Sequence, residues 1–169
     1  MKNNMETRPK IKLELSPTDQ FLEIAGWFAL TLLVGLALVT FFQLPDTIPT
    51  HFNVKGEADS YGSKASIFTL PLIGTVMFIG LTILNRYPHV FNYPTEITAE
   101  NAPRQYANAT RMIRYLKLAV VLLFAFLVFK TSSVATGKAE GLGVEMYMVI
   151  FFLITLPMLF FVSKLLKNK

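Results

Sequence analysis

IAGWFALTLLVGLALVTFFQLP, residues 24–45, contains no charged side chain. At about 1.5 Å of rise per helical residue, such a run reaches roughly 33 Å, enough to cross a hydrocarbon core of about 30 Å. It is longer than the roughly 7 to 15 residues of a cleavable leader's apolar core, and no small-x-small pattern follows it. The run is therefore read as an uncleaved membrane anchor that ends at Pro45.

Three further runs extend this reading along the chain. ASIFTLPLIGTVMFIGLTILN, residues 65–85, is a second span, with Ser63 as its N-cap and Pro71 as a bend. MYMVIFFLITLPMLFFVS, residues 146–163, is the fourth, with a second bend at Pro157. The third is the least marked, because only LAVVLLFAFLVF separates Lys117 from Lys130. A helix over 113–134 accommodates both lysines if each snorkels to its own interface. The competing reading turns Lys130 into the bundle against a carboxylate. Snorkelling is preferred, because an unpaired lysine at mid-bilayer costs about 2.5 to 3.5 kcal/mol.

Composition agrees with this architecture. Of the 169 residues, 53% are apolar and 16% charged, against about 25% charged in soluble domains. One domain over 1–169 is expected, an all-α membrane fold of four transmembrane helices. The chain has no cysteine, which excludes disulfides and thiolate ligands. Its net charge of +5 is a topology signal, because the basic residues flank the apolar runs. Nucleic-acid binding is not expected.

Twelve of the 16 lysines and arginines fall in the segment 1–23, the loop 86–117 and the C-terminal tail. With an even number of spans, all three lie on one side, and the positive-inside rule makes that side cytoplasmic. The expectation is a multi-pass protein of a cytoplasmic membrane, with both termini inside and the loop 44–64 outside. In 86–117, Tyr106, Ala109, Ile113 and Leu116 recur at helical spacing, behind Asn101 as N-cap and Pro103 in the first turn. This predicts a cytoplasmic amphipathic helix that either lies on the membrane or runs on into the third span. Arg104, Arg111, Arg114 and Lys117 are its candidate surface for lipid or a cytoplasmic protein partner.

The loop LPDTIPTHFNVKGEADSYGSK, residues 44–64, is the one stretch that does not look like anchor. Ile48, Thr50 and Phe52 alternate with Pro49, His51 and Asn53, as in a short strand. Asn53-Val54-Lys55-Gly56 is a turn signal, and residues 57–62 can return as a second strand. Such a hairpin is marginal alone and needs Ile48 and Phe52 packed on the helix ends. Its polar groups admit three readings, in decreasing order of preference. They are a hydrogen-bonded cap, a binding surface for an extracellular peptide or small molecule, and a metal or catalytic site. The last is disfavoured because His89, the other histidine, falls across the bilayer from His51, and no motif positions a nucleophile. No cofactor, metal or enzymatic activity is expected. Transport by an oligomer is the alternative function. Its support is slight, because spans one, two and four hold no acid, base or histidine inside, and Ala25 with Ala29 is a weak pairing signal.

The loop string resembles a family of uncharacterised bacterial membrane proteins, whose domain also forms the N-terminal part of the SdpI-type toxin-immunity proteins. The family pattern, roughly IP-x-H-[FW]-[NG] followed by a glycine, an acid and a lysine, falls here on Ile48, Pro49, His51, Phe52, Asn53, Gly56, Asp59 and Lys64. The stretch 91–117 resembles the short, stand-alone members. The resemblance implies a binding or signalling module in a bacterial cytoplasmic membrane, with the loop motif as ligand-binding or structural element. SdpI-type proteins have a further C-terminal membrane half beyond the four spans seen here. The resemblance supplies no catalytic residues.

Overall fold

The computed structural model describes residues 8–167. Lys2 and Lys169, both used in the charge count, lie outside the described residues. Among the described residues, four helices are long and apolar enough to cross a membrane: Pro17–Phe41, Lys64–Leu84, Ala102–Ala135 and Glu145–Lys167. The chain is thus a multi-pass, mostly helical membrane protein with one small sheet between the first two spans.

Helix α1, Pro17–Phe41, starts seven residues before the charge-free run and stops four before its end. Ser16 caps it, its hydroxyl accepting from the Asp19 amide while the Asp19 carboxylate accepts from the Ser16 amide. With Pro17 in the first turn, this capping box fixes the start. Hydropathy alone missed it, since Asp19 and Glu23 are helical residues whose charges are paired elsewhere in the bundle. Strands β1, Thr47–Phe52, and β2, Ala58–Ser63, then form an antiparallel hairpin. A 3-10 turn, Lys64–Phe68, leads into helix α2, Thr69–Leu84; Ser63, expected to cap the second span, caps this turn, its hydroxyl accepting from the Ala65 amide, while α2 itself starts behind Phe68 without a side-chain cap.

Helix α3, Ala102–Ala135, is 34 residues long, with no break between the basic stretch and the third span. At about 1.5 Å per residue it exceeds a hydrocarbon core by roughly 20 Å. The helix-continuation reading of 86–117 is therefore the one adopted. Asn101 sits at the N-cap, but its side chain turns back, accepting from the Thr98 amide and donating to the Glu96 carbonyl. Its early turns are packed, not laid on a surface: Ala102, Gln105, Tyr106 and Ala109 are buried.

The fourth helix, Glu145–Lys167, is α-helical at both ends with a π-helical segment, Ile150–Thr155, between them. Pro157 explains the irregularity. It has no N–H to give the Leu153 carbonyl four residues back. The Tyr115 hydroxyl of α3 donates to that carbonyl at 2.9 Å.

α1 and α3 run parallel and in contact, with α2 packed against both. Leu33, Ala37, Phe78, Val121 and Val128 fill the centre, each almost without solvent exposure. Gly26 permits the close approach of α1 and α2, since a Cβ there would sit 2.9 Å from the Phe78 ring. Ala29 belongs to this same core, so the Ala25–Ala29 spacing serves packing within the chain. The fourth helix stands apart, touching the rest mainly through α3 and leaving most of its surface to the membrane.

Candidate functional site

The polar groups gather at the two ends of the bundle. At the hairpin end, Pro49 cannot donate to the ladder, and the pairing slips there: Pro49 faces Tyr61 and His51 faces Ser60, which leaves Thr50 as an unpaired bulge. The expected alternation therefore fails. Ile48 and Pro49 are both buried, while Thr50 and His51 are both exposed. Ile48 plugs into the core, and Phe52 is half-buried, as the hairpin's stability requires.

The candidate motif residues are brought together in pairs. His51 Nδ1 lies 2.6 Å from Asp59 Oδ1 across the strands, both side chains well exposed. Asn53 organises the turn: its Oδ1 accepts from the Lys55 and Glu57 amides, and its Nδ2 donates to Glu57 Oε2 at 2.9 Å. Gly56 takes φ +82°, which an L side chain rarely adopts. Lys64 Nζ bonds Asp46 Oδ1 at 2.9 Å and stands 5.4 Å over the Phe41 ring. Among the described residues, no three His, Asp or Glu side chains converge as a metal site needs.

The loop before the fourth helix clamps the turn. The Leu142 amide donates to the Gly56 carbonyl at 2.8 Å, and the Tyr147 hydroxyl donates to the Val54 carbonyl. Gly141 has to be glycine for this approach, since a Cβ would lie 2.4 Å from the Gly56 oxygen. Nothing in the sequence pattern links 141–147 to the hairpin. Beneath the hairpin lies a groove of about 370 Å³. Pro49, His51 and Phe52 form one wall, Thr69 and Leu70 another, and Leu127, Thr131 and Leu142 close it. It is an apolar slot with a few hydroxyls and one imidazole at its edge.

The opposite end is built from charge. Arg111 Nε and Nη2 reach the two Asp19 oxygens at 2.8 and 2.9 Å. Arg114 Nε meets Glu23 Oε1 at 3.0 Å, and Lys117 Nζ meets Glu23 Oε2 at 2.6 Å. Lys117 also donates to Thr82 Oγ1 at 2.9 Å and lies 4.5 Å over the Phe78 ring. The cluster ties α1, α2 and α3 together. Of the four basic residues expected to form a surface, Arg104 is exposed, Arg111 is half-buried, and Arg114 and Lys117 are buried. The signal that could have found their partners is spacing: Asp19 and Glu23 are four apart, and Arg111, Arg114 and Lys117 are three apart, so each set lines one helix face.

Lys130, expected to snorkel, instead has its side chain largely buried and lies 3.8 Å from Oε1 of the half-exposed Glu145. His89 lies at the charged end, where Arg8 donates to the His89 and Phe91 carbonyls at 3.2 and 2.6 Å. Burial, with Tyr106 close by, pushes the Tyr93 phenol well above its ordinary range, despite Arg8 over its ring.

Comparison with known proteins bears on the hairpin end. Residues 28–75 match the family profile described as Domain of unknown function (DUF1648). The matched stretch runs from the middle of α1 through the hairpin into α2. The chain is also similar to an uncharacterized protein of Archaeoglobus fulgidus, at 28% identity over 159 residues, covering 87% of each chain. No solved structure matches the chain.

Proposed function

We propose that this protein is a non-enzymatic binding module of the cell membrane, resembling the N-terminal part of SdpI-type immunity proteins, and that the groove beneath the hairpin holds its ligand. The observation that carries the reading is the groove itself. It is an apolar slot of about 370 Å³, edged by the exposed His51–Asp59 pair and roofed by a hairpin held by a few hydrogen bonds. That combination suits an amphipathic ligand, an extracellular peptide or small molecule with an apolar face. The lysine and arginine asymmetry supports placing the hairpin outside and both termini in the cytoplasm.

Transport receives less support. The packed centre of the bundle is made of Leu33, Ala37, Phe78, Val121 and Val128, which offers a solute no polar lining within one copy.

The test is photocrosslinking in living cells, with a photoreactive residue at Thr69 in the groove or at Leu122 on the exposed face of α3. The Thr69 position is expected to capture a peptide or small molecule that Leu122 does not. Lipid adducts alone at both positions would reduce the groove to membrane contact. Topology is tested separately: a cysteine at Lys55 should react with an impermeant reagent from outside, and one at Arg104 should not.

A further inference from the structure

The groove beneath the hairpin is lined by five consecutive residues of β1, Ile48 through Phe52, and by none of β2. A strand that turned one face to a cavity would contribute every second residue. An unbroken run from one strand, with nothing from its neighbour, sets the groove along the edge of β1 that β2 leaves free. The sheet has two strands, so β1 is paired on one side. Among the described residues, no backbone hydrogen bond joins Thr47–Phe52 to any element other than β2.

The ladder fixes which groups point to that edge. The Lys64 amide donates to the Asp46 carbonyl at 2.9 Å, and the Asn53 amide to the Glu57 carbonyl at 2.9 Å, one residue beyond either end of β1. Bonding alternates along an antiparallel strand. Thr47 and Phe52, next in line, therefore turn their N–H and C=O groups away from β2. The free edge thus carries a donor and an acceptor at each end of β1. Pro49, between them, has no N–H to offer.

These groups select the occupant. A lipid chain would fill the apolar walls but brings neither donor nor acceptor to the edge. A compact small molecule would reach one end of β1, because Thr47 and Phe52 lie up to about 16 Å apart along the strand. A second copy's β1 is a poor guest, since it carries the same proline and bulge, features that stop edges from pairing along their length. An extended peptide brings main-chain groups at strand spacing and apolar side chains at alternate positions.

We propose that the groove binds an extended peptide by strand addition. The guest pairs with the free edge of β1 as a third strand, and its alternate apolar side chains fill the groove against Leu70, Leu127 and Leu142. This rests on the groove being the ligand site, and it names the ligand's class and binding mode.

The probe is an N-acetylated, C-amidated hexapeptide of alternating valine and threonine, a strand-forming composition, titrated into the full chain in detergent. The comparison is the same hexapeptide N-methylated at every residue, which keeps the side chains and has no backbone donor along its length. Capture is read by the photoreactive residue at Thr69, and pairing by amide hydrogen exchange. The hexapeptide should be captured at Thr69. It should slow exchange at the Thr47 and Phe52 amides several-fold and leave Ile48, which faces Gly62 of β2, unchanged. The N-methylated peptide should bind about tenfold more weakly, the loss of about two hydrogen bonds. Thr47→Pro removes one outward donor, keeps the bonds to β2, and should weaken the hexapeptide several-fold, whereas Thr47→Ala should not. Capture at Thr69 without slowing at Thr47 and Phe52 would overturn strand addition and leave the groove as a ligand site. Equal binding of the two peptides would do the same. Failure to capture the hexapeptide would also overturn strand addition, while the groove reading stands or falls with capture at Thr69 in cells.

Discussion

The two ends of the bundle use the same kinds of residue for opposite purposes. At the hairpin end, His51 meets Asp59 and Lys64 meets Asp46 with every side chain but that of the half-buried Lys64 largely open to water. At the other, Arg111, Arg114 and Lys117 meet Asp19 and Glu23 with Lys117 wholly buried. Exposed ion pairs contribute about 0 to 1 kcal/mol, because water competes for both partners. Buried ones gain little over apolar packing, yet losing one partner strands a charge that nothing solvates. Burial, not residue type, decides at which end the fold depends on its ion pairs.

The largest expected effect tests the buried end. Glu23→Leu leaves Lys117 under Phe78 without its carboxylate and should cost about 3 to 5 kcal/mol in unfolding experiments in detergent. Lys117→Met removes the cation instead, leaves Glu23 with Arg114, and should cost less than half as much. Equal losses in the two variants would mean that the cluster acts as general packing and not as a charge lock.

A smaller loss should follow at the clamp between the hairpin and the fourth helix. Gly141→Ala pushes a methyl group at the Gly56 carbonyl, which lies 2.4 Å from where the Cβ would sit. Crowding of this kind costs about 1 to 3 kcal/mol. The damage should be local. Hydrogen exchange at the Asn53 and Gly56 amides should speed up while that of α3 does not. If α3 exchanges faster too, the two ends are coupled more tightly than their separate hydrogen bonding suggests. Tyr115→Phe ranks next. It orphans the Leu153 carbonyl opposite Pro157 and should cost about 0.5 to 1.5 kcal/mol.

The sequence exposed these features unevenly. The four spans were legible because a membrane enforces length and hydropathy, and Ser63 and Gly56 were legible because caps and turns are local. The start of α1 was not. Asp19 and Glu23 look like the end of a span until Arg111, Arg114 and Lys117 are known to face them, and that is a contact across more than 90 residues. The hairpin's bulge was hidden for a related reason: Pro49 breaks the ladder, and a reading by strict alternation placed Thr50 inward. The 141–147 clamp had no local signature at all, since a glycine and a tyrosine hydroxyl do not name the distant backbone carbonyls they meet. Local chemistry was readable, and pairings between distant segments were not.

The smallest expected effect on stability is also the most informative about function. His51→Ala removes the 2.6 Å contact to Asp59. With both groups exposed, unfolding should change by less than about 1 kcal/mol. The same substitution strips the only imidazole from the edge of the groove, so capture at Thr69 should fall even though the hairpin stays folded. A binding site and a structural cap separate at this point. A cap that loses a pair loses stability first, and whatever else changes follows from that. A site can lose its ligand while the fold is untouched. If His51→Ala instead destabilises the hairpin and leaves Thr69 adducts in proportion to folded protein, the hairpin end is bracing the helices, and the contrast between the two ends is one of degree.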